Sequence, residues 1–168
     1  MRIAAALLAV LLSACSGSRA PLPPACPTVL LLKGAERTAG YRAGTSARPA
    51  DLEHLAVLKN LISACRYDED GVDVALRFDL IAEQGPAYAA SEPLVLTYFV
   101  ATLDPDQAVL SKPLFSSEVL FPEGSQVGGN VEEMTVRLPG VPPADGSHYR
   151  VYVGFQLDGN ELSRRLTH

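Results

Sequence analysis

The side chains of this 168-residue chain that could do chemistry are three cysteines, three histidines, a few serines in glycine turns and one dense group of carboxylates. Asp68, Glu69, Asp70 and Asp73 crowd around Gly71 and offer hard oxygen ligands of the kind calcium takes, about six to eight at a time. Their spacing is not that of an EF-hand loop, and Asp70-Gly71 is a favoured hairpin turn, with Asp73 and Asp79 then falling on the polar face of the next strand. The hairpin is the favoured reading, and no metal ligand is assigned. His54, His148 and His168 form neither a His-Glu-x-x-His nor a His-x-His pattern and are expected to be solvated at the surface. Gly44-Thr45-Ser46 and Gly124-Ser125-Gln126 are not nucleophile elbows. Gly124, Gly128 and Gly129 lack the Lys-Ser/Thr that completes a phosphate loop, which leaves a flexible interstrand loop. Tyr88, Tyr98, Tyr149 and Tyr152 could build a recognition surface or pack in the sheets. No catalytic residue and no cofactor is expected.

The cysteines say more. Arg2 supplies a positive n-region, Ile3 to Leu12 is an unbroken apolar run, and Leu12-Ser13-Ala14 leads into Cys15. The layout is that of a secretory signal. Ten apolar residues fall short of the ~20 needed to span a bilayer. An ordinary secretory signal has no need of a cysteine at the cut. Leu-Ser-Ala-Cys resembles the lipobox of bacterial lipoproteins. That resemblance implies removal of residues 1–14, diacylglycerol on the Cys15 thiol and an acylated new amino terminus. One acyl chain holds a protein only marginally, whereas several make a stable anchor. By the same resemblance, Ser16 after the lipidated cysteine favours the outer membrane, facing the periplasm.

With Cys15 used for lipid, Cys26 and Cys65 remain as an even pair in an oxidising compartment, and a structural disulfide is expected. A reactive pair is the alternative, but there is no Cys-x-x-Cys spacing and no neighbouring histidine. Loss of Arg2 with residues 1–14 leaves 13 basic against 19 acidic side chains. The scattered basic residues, with only Arg164 and Arg165 adjacent, exclude an electrostatic footprint for nucleic acid.

The elements that must position these residues read mainly as strands. Residues 15–25, the acylated cysteine followed by Ser, Gly and Pro21, Pro23 and Pro24, form a tether that could reach about 30 Å when extended. A single domain is expected over 26–168. Val72, Val74, Leu76, Phe78 and Leu80 alternate with polar residues, as do Tyr149, Val151, Val153, Phe155 and Leu157; Met134, Val136 and Leu138 give a shorter example. Thr28–Leu32 is a further strand. Pro93–Leu103, nearly continuously apolar, suits a central strand covered on both faces. Gln107–Phe121 is broken by Pro113 into two short strands. Asp51–Ala64 has leucines at helical spacing, yet Val57, Leu61 and Cys65 share one face of a strand, and a strand from about 55 to 67 is favoured. Turn residues separate the runs. The pattern predicts an all-β fold, an antiparallel sandwich of immunoglobulin- or fibronectin-like architecture with about seven to eight strands.

Cys26-Pro27, Cys65-Arg66-Tyr67-Asp68, Glu83-Gln84-Gly85-Pro86 and Tyr98-Phe99-Val100 are similar to segments of small uncharacterised lipoproteins of alphaproteobacteria. That group carries no assigned activity. The expected function is therefore a membrane-anchored, non-catalytic interaction or structural module with an envelope protein partner; a periplasmic lipoprotein that holds a small molecule or polysaccharide is the alternative.

Overall fold

The computed structural model describes residues 24–45, 47–89, 93–159 and 161–162. They form a β-sandwich of nine strands: β1 Thr28–Leu31, β2 Arg37–Tyr41, β3 Leu52–Asp68, β4 Gly71–Gln84, β5 Leu94–Leu103, β6 Val109–Ser111, β7 Leu114–Val119, β8 Val127–Pro139 and β9 Arg150–Phe155. One sheet runs β2-β3-β4-β8. In the other, β1-β9-β5 continues into β6 and β7, which both pair with β5. Every pairing is antiparallel except β1 with β9, which run parallel from Thr28 beside Arg150. The strands exceed the expected number because β2 carries no apolar alternation; for the same reason β8 begins earlier than Met134.

The core follows the period of two. Val72, Val74, Leu76, Phe78, Leu80 and Ala82 all point inward from β4 and are buried. They meet Leu96, Tyr98 and Val100 from β5 and Val151, Val153 and Phe155 from β9. Burying each large side chain contributes roughly 1.5–3 kcal/mol. Phe78 and Tyr98 pack edge to face with ring centroids 5.4 Å apart, and Phe115 stacks on Tyr98 at 5.5 Å, arrangements that add to plain burial. β5 is central and buried on both faces around Phe99–Ala101.

Residues 52–68 are strand throughout, preceded by a 3-10 turn at Pro49–Asp51. The expectation that Val57 shares a face with Leu61 and Cys65 is corrected by a bulge. Lys59 pairs with Asp79 and Ile62 with Arg77, so β3 carries one extra residue there. Asn60 takes that place with φ of 55°, a conformation Asn tolerates better than most residues. An extra residue reverses the alternation: Ala56 and Leu58 face the core before the bulge, and Leu61, Cys65 and Tyr67 after it, while Val57 lies on the outer face.

Cys26 and Cys65 are disulfide-bonded, with Cα atoms 5.7 Å apart. Cys26 stands two residues before the start of β1 in one sheet and Cys65 sits on β3 in the other, so the bond joins the layers where the chain enters the sandwich. The Tyr67 hydroxyl donates to the Ala25 carbonyl at 2.6 Å and fixes that entry point. No helix among the described residues is long and apolar enough to cross a membrane.

Candidate functional site

Cys15, the signal segment, the tether up to residue 23, Ser46, the Arg164-Arg165 pair and His168 lie outside the described residues. Within them, four groups of side chains carry whatever chemistry the sandwich can offer.

The acidic turn is the first. Asp68 pairs with Gly71 across the tight β3–β4 connection, and Asp68 Oδ1 accepts the Asp70 amide at 2.9 Å. Arg137, on the next strand, grips Asp68 bidentately at 2.6 and 2.8 Å and reaches Asp73 at 3.1 Å. Those hydrogen bonds hold the Asp68 carboxyl at a pKa of about 2. Two of the four carboxylates, Asp68 and Asp73, face a guanidinium, Asp68 in the fork geometry that favours Arg. No set of three or more metal-binding side chains converges among the described residues.

The second group lies between the layers at the β7–β8 mouth. Period two, extended backward from Leu138, Val136 and Met134, puts Glu132 and Asn130 on the inner face of β8. Glu132 accepts the Tyr98 hydroxyl at 2.8 Å on one oxygen and the Ser117 hydroxyl at 2.6 Å on the other. Asn130 donates to Ser117 Oγ at 2.8 Å and to the Glu118 carbonyl at 2.7 Å. Burial, reinforced by Glu132, pushes the Tyr98 hydroxyl far above its ordinary range, so it remains a donor. Each hydroxyl is committed to holding the sheets together, as a satisfied buried network does. Ser125 makes only a local turn contact, its Oγ donating to the carbonyl and accepting from the amide of Val127.

The third closes the opposite edge. Glu161 is buried, accepting the Thr38 hydroxyl at 2.8 Å and the Ala39 amide at 3.1 Å, and so fastens the segment after β9 onto strand β2. His54 belongs to this edge. Rather than standing solvated, its ring is half-buried against Gly40, where a Cβ would come within 2.1 Å of it. Burial lowers its pKa. The cause is the β2–β3 register, which places Gly40 directly beside His54. His148 is exposed, in the turn before β9.

The fourth is a depression of about 590 Å³ on the outer face of the five-stranded sheet. Phe99 and Ala101 form its floor, and the Leu32–Ala35 loop, Val109, Tyr152 and Leu157 stand around it. Gly154 makes the floor possible: a side chain there would collide with Ala35 and Phe99 at 2.9 Å. Lys112 lies over the Phe99 ring, Nζ 4.5 Å from its centroid, and donates to Gln156 at 3.0 Å. The apolar run of β5 announced burial on both faces; that the second cover is open at one side depends on loops with no periodic signal.

The four tyrosines divide accordingly. Tyr98 is core, Tyr149 packs against the core, Tyr88 sits edge-on to Phe121 at 5.2 Å, and Tyr152 lines the outer depression. Comparison with protein-family models, curated proteins and solved structures gives no match.

Proposed function

We propose that the protein is a lipid-anchored envelope protein whose β-sandwich acts as a non-catalytic interaction module. The observation that supports this most is the edge of the five-stranded sheet. Val109, Leu110, Leu114 and Leu120 expose 61, 55, 55 and 69 % of their surface along β6, β7 and the residue after it. Apolar side chains spaced along one sheet edge support a contact surface there. The inner polar groups meanwhile bond to one another. In this reading acyl chains on Cys15 hold the domain at the membrane, with the periplasmic face of the outer membrane favoured, and confinement raises its effective concentration for a partner there.

The test is affinity capture from crosslinked membranes, with Cys15→Ala as the unacylated control and Leu110→Asp/Leu114→Asp as the edge control. The expected result is a partner recovered with the wild type and lost with both variants. Recovery of the same partners with both would overturn tethering and the edge surface together. A mass shift on the Cys15 peptide, absent in Cys15→Ala, tests acylation by itself.

A second reading, a lipoprotein that holds a ligand, is favoured by the outer depression. Its volume of about 590 Å³ falls within the ~300–1,000 Å³ of small-molecule sites, and its apolar lining with few polar groups is of the same kind.

A further inference from the structure

The chain has only three lysines, Lys33, Lys59 and Lys112. Two of them, Lys33 and Lys112, line the same apolar depression. Both are exposed, and neither forms an ion pair among the described residues, although the protein carries an excess of acidic groups. Lys112 is steered inward by the Phe99 ring and Gln156. An ammonium has three donors, so these contacts leave it able to bind an anion. The nearest carboxylate in sequence to Lys33, Glu36, is turned to the Gly34 amide.

An apolar floor with two uncompensated cations beside it matches a molecule with one anionic end and one apolar end. A neutral apolar ligand would leave the lysines unused, and a hydrophilic anion would leave Leu32, Val109 and Leu162 uncovered. We propose that the depression holds a single-chain anionic amphiphile, a fatty acid in chemistry, with its carboxylate taken by Lys33 and Lys112 and its chain laid against Leu32, Val109 and Leu162. Each methylene removed from water contributes about 0.8 kcal/mol, and the charge-assisted contacts fix which end goes where. This rests on the ligand-holding reading above and is independent of tethering.

The test uses the full chain, taken from both the membrane and soluble fractions of producing cells. It is labelled with a palmitic acid analogue bearing a photoreactive diazirine on its tail, and in parallel with the methyl ester of that analogue. The expected result is saturable labelling by the acid, mapped by mass spectrometry to peptides containing Phe99, Val109 or Leu157. Lys33→Glu/Lys112→Glu should reduce it at least about tenfold while leaving ester labelling unchanged, the size of loss expected when hydrogen bonds to a charged group are removed. Val109→Asp, at an exposed position that does not support the fold, should reduce both. Equal labelling by acid and ester, labelling untouched by the variants, or adducts confined to other surfaces would overturn the proposal. So would concentration-dependent dimerisation that shields the depression from the probe, which would assign it to a second copy. Failure here leaves the capture experiment unaffected, and loss of membrane attachment leaves the labelling result standing.

Discussion

Tyr98 and Glu132 meet across the space between the two sheets, the β5 hydroxyl donating to the β8 carboxyl at 2.8 Å. Tyr98→Phe removes the donor and little volume. The expected loss of stability is about 1–3 kcal/mol, the cost of leaving a partly buried acceptor short of a partner. Urea unfolding of Tyr98→Phe, Glu132→Gln and the double variant checks it: the double should lose less than the sum of the singles. In an alkaline absorbance titration one wild-type tyrosine should ionise well above the rest; Tyr98→Phe should abolish that step, and Glu132→Gln, which leaves the burial in place, should lower it only in part.

Removing the Cys26–Cys65 bond should cost about 4 kcal/mol, from the chain entropy of a closed loop of this length, the sequence separation being 39. Cys26→Ala/Cys65→Ala, unfolded in urea beside the oxidised and reduced wild type, gives the measurement. Reductant should shift the midpoint of the wild type and leave that of the double variant in place.

Asn60 is the extra residue that lets Leu58 and Leu61, three positions apart, both face the core. Deleting it should close β3 into an unbroken ladder in which Leu61 follows Lys59, opposes Phe78 and stays inward together with Cys65. The expected outcome is an intact disulfide, read as a retained mobility difference between reducing and non-reducing gels; two free thiols would show that the faces had reversed. Asn60→Gly, which accepts the same positive φ at no steric cost, should keep the disulfide and change stability by only a few tenths of a kcal/mol.

The Asp68 carboxyl, bound by Arg137, should titrate in the folded protein near a pKa of about 2, against an ordinary value of 3.8. Because the folded value is the lower one, the stabilisation is present above the unfolded value and is lost as pH falls from about 4 toward 2. Carbon-detected NMR titration of the carboxyl checks the midpoint. Arg137→Gln should move it back toward the ordinary range and weaken the acid dependence of unfolding over the same window.

The legible part of this fold was the part governed by burial alone. β4 and β9 each alternate cleanly, and β5 shows a continuous apolar run because loops cover its outer face. The prolines and glycines then place the turns. What escaped had no burial signal. β2 is short, with Gly40 where a side chain would have marked a face, and Glu132 and Asn130 are inward residues of the wrong polarity for a period-two search. The face reversal at Asn60 rests on a single inserted residue, which no periodicity reports. The outer depression is assembled from β5, β6 and two loops distant in sequence. Only tertiary structure brings Lys33 to the same hollow as Lys112.

The staple at Cys26 has a mechanical consequence. A pull on the chain ahead of Cys26 does not have to be borne by the four residues of β1. It passes through the sulfur atoms into β3, seventeen residues long. That strand is hydrogen-bonded to β4 along nearly its whole length. Force entering at Cys65 is therefore shared with the rungs that join β3 to β4, and the covalent link keeps the two layers joined at the entry corner.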